Sequence, residues 1–159
     1  MTLIEFSEWL SGTPFSQVIQ STMWMIPGLQ TVHILALAVL FASAMVMALR
    51  VFGRGLAMEK VASVATRFSR PIWLALLLLA LSGALLITAE PGRTLGNPAF
   101  NLKMLCLVAV VLVTLVLQSH LRRDRPPGAL QAVLAVVSIG LWTTIIVAGR
   151  LIAYTEATY

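Results

Sequence analysis

The sequence predicts an all-α protein, a four-transmembrane-helix bundle preceded by a short N-terminal interfacial helix, and three observations carry that prediction. Hydrophobic residues make up 59% of the 159-residue chain and charged residues only 11%, with a mean hydropathy of +0.94, whereas soluble domains carry roughly 25% charged residues. Four apolar stretches, 26–49, 71–89, 99–119 and 128–153, each reach the roughly 20 residues that a helix needs to cross a hydrocarbon core about 30 Å thick. Lipid leaves backbone polar groups unsatisfied unless the segment is a helix or part of a closed barrel, and runs this long and unbroken are not barrel strands. Little chain is left over, so residues 1–159 read as a single integral membrane domain.

Each element follows from local chemistry. Residues 2–12, TLIEFSEWLSG, intersperse Leu3, Ile4, Phe6, Trp9 and Leu10 with Glu5, Ser7 and Glu8, the pattern of a short helix lying in the membrane interface. Thr13 and Pro14 form an N-cap and first-position pair. A helix starting there meets Pro27, whose missing amide and following Gly28 predict a bend just before His33. The first spanning stretch begins too far into the chain, and is too long, for a secretory signal. Leu56, Val61, Val64 and Phe68 recur among polar residues over 56–70, predicting an amphipathic helix that Pro71 bends or restarts. Glu90 closes the second spanning helix before Pro91. Asn97 and Pro98 start the third, and Pro126, Pro127 and Gly128 interrupt the chain before the fourth.

Charge sets the expected orientation. Arg50, Arg54, Lys60, Arg67 and Arg70 lie between the first two spanning stretches, and Arg122, Arg123 and Arg125 lie between the last two. The positive-inside rule turns both loops to the cytoplasm and both termini, with the 90–98 loop, to the periplasm. The expected location is thus the bacterial inner (cytoplasmic) membrane, crossed several times. The net charge of +5 is a topogenic signal. Without interleaved aromatics or a soluble domain to present these arginines, nucleic acid is not an expected partner. The lipid bilayer is, and a second copy or a membrane partner subunit remains open. Cys106 is the single cysteine and has no intrachain partner.

At 1.5 Å per residue, His33 lies about 10 Å below Pro27, and Lys103 about 8 Å below Pro98. Arg150 lies near the end of the fourth stretch and Glu90 at the end of the second, so the four helices each bring one ionisable group to the same layer. Such groups usually face the bundle interior and pair. With His33 neutral, Glu90, Lys103 and Arg150 leave one positive charge over, which favours a carboxylate or haem propionate, a semiquinone, a quinone headgroup or a lipid phosphate. Asn101 and Thr88 would add hydrogen bonds, and Trp24 and Trp142 apolar walls. The bland alternative has Lys103 and Arg150 snorkelling to headgroups, Glu90 solvated, and His33 bonded to a neighbouring helix.

Metal chemistry is the second candidate. His33 with Met23, Met25 and Met104 supplies imidazole and thioether ligands suited to Cu(I) or to the iron of haem b. His120 lies about 26 Å along the helix axis from Lys103, so the two histidines cannot share one iron within a protomer. No zinc spacing, glycine-rich phosphate loop or serine–histidine–acid set is present, and no catalytic residue is assigned.

WMIPGLQTVHILALAVL, SRPIWLALLLLALSGALLITAE, NPAFNLKMLCL and LWTTIIVAGRLIAY resemble the members of an uncharacterised family of small bacterial four-helix membrane proteins. The matching anchors are Pro27, His33, Glu90, Asn97, Pro98, Phe100, Lys103, Trp142, Gly149 and Arg150. More distantly, the FNLK segment and the histidine of the first spanning helix resemble the copper-resistance D family and membrane b-type cytochromes, which implies copper or haem chemistry at the outer side. Three expectations therefore stand together: a ligand or cofactor pocket in the outer leaflet, copper or haem handling through His33, and an accessory or scaffold subunit without ligand.

Overall fold

A computed structural model describes residues 2–54, 56, 58–123 and 126–154; Arg125, counted above among the basic loop residues, lies outside the described residues. Seven helices follow in order: α1 (Leu3–Ser11), α2 (Pro14–Ser21), α3 (Met25–Val51), α4 (Val61–Ala89), α5 (Pro91–Leu95), α6 (Pro98–Leu121) and α7 (Ala129–Tyr154). No strand occurs among the described residues. Four helices, α3, α4, α6 and α7, are long and apolar enough to cross a membrane, which makes this a multi-pass membrane protein.

Helix α3 packs chiefly on α4 and α6 on α7, and the two pairs meet mainly through α3 and α7. Small side chains allow the approach: Ala36, Ser43, Ser82 and Ser138 are all buried, as close packing in lipid requires. One core layer joins Leu40, Leu79, Val110, Trp142 and Ile145. A second, nearer the basic loops, joins Met47, Ile72, Leu117, Leu121 and Ala135. The outward faces carry Leu35, Leu74, Leu77, Leu105 and Val136, all well exposed; an apolar shell of this kind calls for lipid around it.

The caps follow the sequence closely. Thr2 and Glu5 form a reciprocal capping box on α1, Thr13 accepts from Ser16 N at the start of α2, and buried Asn97 accepts from Ala99 N at the start of α6. Helices α1, α2 and α5 gather at the end of the bundle that bears the chain termini. There Ser16 Oγ donates to the Thr88 carbonyl at 2.7 Å, fastening α2 to the last turn of α4. At the opposite, basic end, Arg50 donates to the Glu59 carbonyl and Arg67 pairs with the Glu59 carboxylate at 3.2 Å.

The expected bend at Pro27 and the expected restart at Pro71 need correction. The chain breaks before Pro27, at Thr22–Trp24, where Thr22 is extended with ψ 104° and α3 begins at Met25. Pro27 then falls in the first helical turn, whose amides have no intrahelical acceptor, so it costs no hydrogen bond and forces no bend there. Pro71 neither ends nor restarts a helix: α4 runs through it from Val61 to Ala89. Buried Ala65, Ser69, Ile72 and Ala75 continue one packed face across the proline, so a single lost backbone bond is outweighed by packing on both sides. The 90–98 loop also contains a short helix, α5, that the sequence reading left as loop.

Candidate functional site

His33 sits on α3 facing α4. Its Nδ1 lies 2.8 Å from Ser82 Oγ, and Ser82 Oγ donates to the Leu78 carbonyl at 2.6 Å. A serine has one hydroxyl proton. With that proton directed to Leu78, the Nδ1–H tautomer of His33 donates to Ser82 and leaves Nε2 as an acceptor. Next to Ser82, Gly83 leaves room for the ring: a Cβ there would stand 3.5 Å from His33 Cε1. Ser82 and Gly83 are thus a seat for the imidazole.

Lys103 occupies the corresponding place on the α6–α7 pair. A Cβ on Gly149 would stand 3.6 Å from its Nζ, so the ammonium rests against bare α7 backbone, one residue from Arg150. Lys103 is half-buried. Its Nζ makes no hydrogen bond or ion pair with another described residue. A cation inside a spanning segment is costly unless something pairs with it. His33 is thus seated on the α3–α4 pair, and Lys103, with Arg150 beside its Gly149 contact, on the α6–α7 pair.

Glu90 is drawn elsewhere. Its carboxylate pairs with Arg93 Nη1 at 3.3 Å, and it borders an open cleft of about 720 Å³ together with Ile4, Glu8, Gln20 and Arg93. His33, Lys103 and Arg150 do not line that cleft. Arg93 was absent from the sequence-based charge count; as a loop residue three positions after Glu90 it was the nearest cation available. Arg150 places its guanidinium 4.9 Å from the Tyr154 ring centroid, a cation–π contact.

The remaining candidates scatter. Asn101 is exposed and, two residues before Lys103, lies about 200° around the helix from it. Met23 and Trp24 are 82% and 80% exposed at the α2–α3 break, so neither closes over His33. Met25 and Met104 are also exposed. Trp142 is fully buried in the central core layer, where it packs against the spanning helices. Among the described residues no three His, Cys, Asp or Glu side chains assemble as a metal site. His120, at the basic end, is engaged with the Val116 carbonyl.

A family model described as a family of unknown function (DUF6644) matches residues 6–155. No curated protein and no solved structure matches the chain.

Proposed function

The chain belongs to this family of unknown function, so membership brings no activity with it, and we propose from the side chains alone that the bundle is a membrane-embedded binding protein. Its site, built on Lys103 and His33 at the termini-bearing end, takes a small ligand through an anionic or electron-rich oxygen. The observation that carries this reading is the half-buried Lys103 ammonium without a carboxylate partner. Glu90, which would have neutralised it, is engaged by Arg93. The pair is chemically complementary: Lys103 donates only, and His33 Nε2 accepts, which suits a ligand carrying an oxyanion beside a hydroxyl. A carboxylate, a quinol and a lipid phosphate share that chemistry. Arg150 would stand at the rim.

Native mass spectrometry of the chain extracted with its own lipids tests this. Wild type and Glu90→Gln should retain a bound non-protein mass that Lys103→Met loses. Equal adducts on all three, or none on wild type, would refute the reading.

One observation favours a second reading, copper or haem handling. His33 is oriented through Nδ1 and keeps Nε2 uncommitted, the arrangement in which metal-bound histidines are held. The donor set is thin, with exposed Met25 and Met104 as the nearest thioethers in sequence depth. A Soret band or stoichiometric copper in protein expressed with both supplied, lost in His33→Ala, would establish it; colourless, metal-free protein would remove it. In either reading the basic loops face the cytoplasm of the bacterial inner membrane, by the positive-inside rule.

A further inference from the structure

The spanning helices carry many hydroxyls, and most settle them locally. Thr31, Ser43, Ser82, Thr88, Thr143 and Thr144 each donate to the carbonyl four residues earlier, at 2.6–3.0 Å. This back-bond is always within reach in a helix and is the default where nothing better exists. Thr114 on α6 and Ser138 on α7 depart from it. Thr114 is only 5% exposed and its Oγ1 has no partner. Ser138, also 5% exposed, makes no hydrogen bond with another described residue.

Both residues line one small, partly open space, together with Met47, Ile72, Leu117 and Trp142, so that all four spanning helices contribute to its wall. Its free volume for a water-sized sphere is about 10 Å³, at the lower edge of the roughly 10–15 Å³ that one water requires. A buried water also needs two to four polar partners. Thr114 Oγ1 is a buried hydroxyl without a partner, and Ser138 and Trp142, neither of which makes a side-chain hydrogen bond with a described residue, line the same space. One turn along α6, Gln118 Nε2 is a second buried donor without a partner.

We propose that Thr114, Ser138 and Trp142 hold an ordered internal water at the centre of the bundle, between α6 and α7. The water accepts from the indole and exchanges hydrogen bonds with the two hydroxyls. It explains why these two side chains, alone among those compared above, forgo the carbonyl in their own helix: an unsatisfied hydroxyl in the apolar interior would be costly, and the back-bond was available. The proposal is independent of the Lys103 site, which lies about 16 Å away along α6 by helix rise.

Water-edited solid-state NMR of the threonine- and serine-labelled full chain in phosphatidylethanolamine–phosphatidylglycerol bilayers tests it. Thr144 faces outward at mid-span and serves as the dry reference. Polarisation from water should build up several-fold faster at Thr114 and Ser138 than at Thr144, and in Thr114→Val the Ser138 signal should fall to the Thr144 rate. Build-up at Thr114 in wild type no faster than at Thr144 would overturn the proposal whether or not the variant folds. An unchanged Ser138 signal in folded Thr114→Val would overturn the sharing of one water by the two hydroxyls.

Discussion

His33 and Lys103 were legible because an imidazole and an ammonium inside apolar runs stand out against everything around them. Their immediate surroundings were not. Whether Ser82 and Gly83 meet His33, or Gly149 meets Lys103, depends on the rotation and register of one helix against another, which no local pattern encodes. The pairing of Glu90 with Arg93 was visible as an i, i+3 relation once 90–98 was recognised as partly helical. Two outcomes follow at this scale. Ser82→Ala should strand His33 Nδ1–H and destabilise the bundle by about 1–3 kcal/mol, the cost of an unsatisfied buried donor, measurable by unfolding in micelles, while Ser82→Thr retains most of the stability. Replacing Gly149 by Ala adds a Cβ at ordinary contact distance from Lys103 and should be tolerated, whereas Gly149→Leu should displace the ammonium and lower ligand retention without unfolding the protein.

Helices were read well from hydropathy and caps, and prolines poorly. Thr13–Pro14 and Asn97–Pro98 mark true starts because capping is settled within a few residues. Pro27 lies just inside a helix start and Pro71 does not restart its helix, because the effect of a proline depends on where the helix begins and what packs beside it. The seam between α4 and α6 shows the same dependence on tertiary context. Gln118, 3% exposed, accepts from Ser69 Oγ and Trp73 Nε1, both at 3.1 Å, and Arg122 donates to the same Ser69 at 2.7 Å. This polar bridge was not anticipated, since a glutamine at the end of a spanning helix reads equally well as a solvated residue. Substituting Gln118 by Leu should leave two donors without their acceptor and cost about 1–3 kcal/mol. The loss should appear in hydrogen exchange as faster opening of the α4 and α6 segments around Ser69 and Gln118, with α3 less affected.

For the whole molecule, composition alone determined the class, because 59% apolar content over four spans of this length has few other outcomes. Orientation is carried by the basic loops, and it predicts that a reporter active only in the cytoplasm will function when fused in the 122–126 loop and fail at the N-terminus; the reverse pattern would invert the bundle. The polar layer was foreseen as one four-residue cluster. Glu90 leaves it, pairing with Arg93 beside the cleft under α1 because the turn at Glu90 carries its carboxylate toward α5, and a site shared by His33 and Lys103 is the proposal made above.

The most direct test of the binding site is an experimental density map of wild-type protein prepared in native lipid, inspected at Lys103. Non-protein density within hydrogen-bonding distance of Nζ, on the side facing His33, is the predicted result. An ammonium extended away from His33 to the headgroup layer, with no density between the two residues, would contradict it.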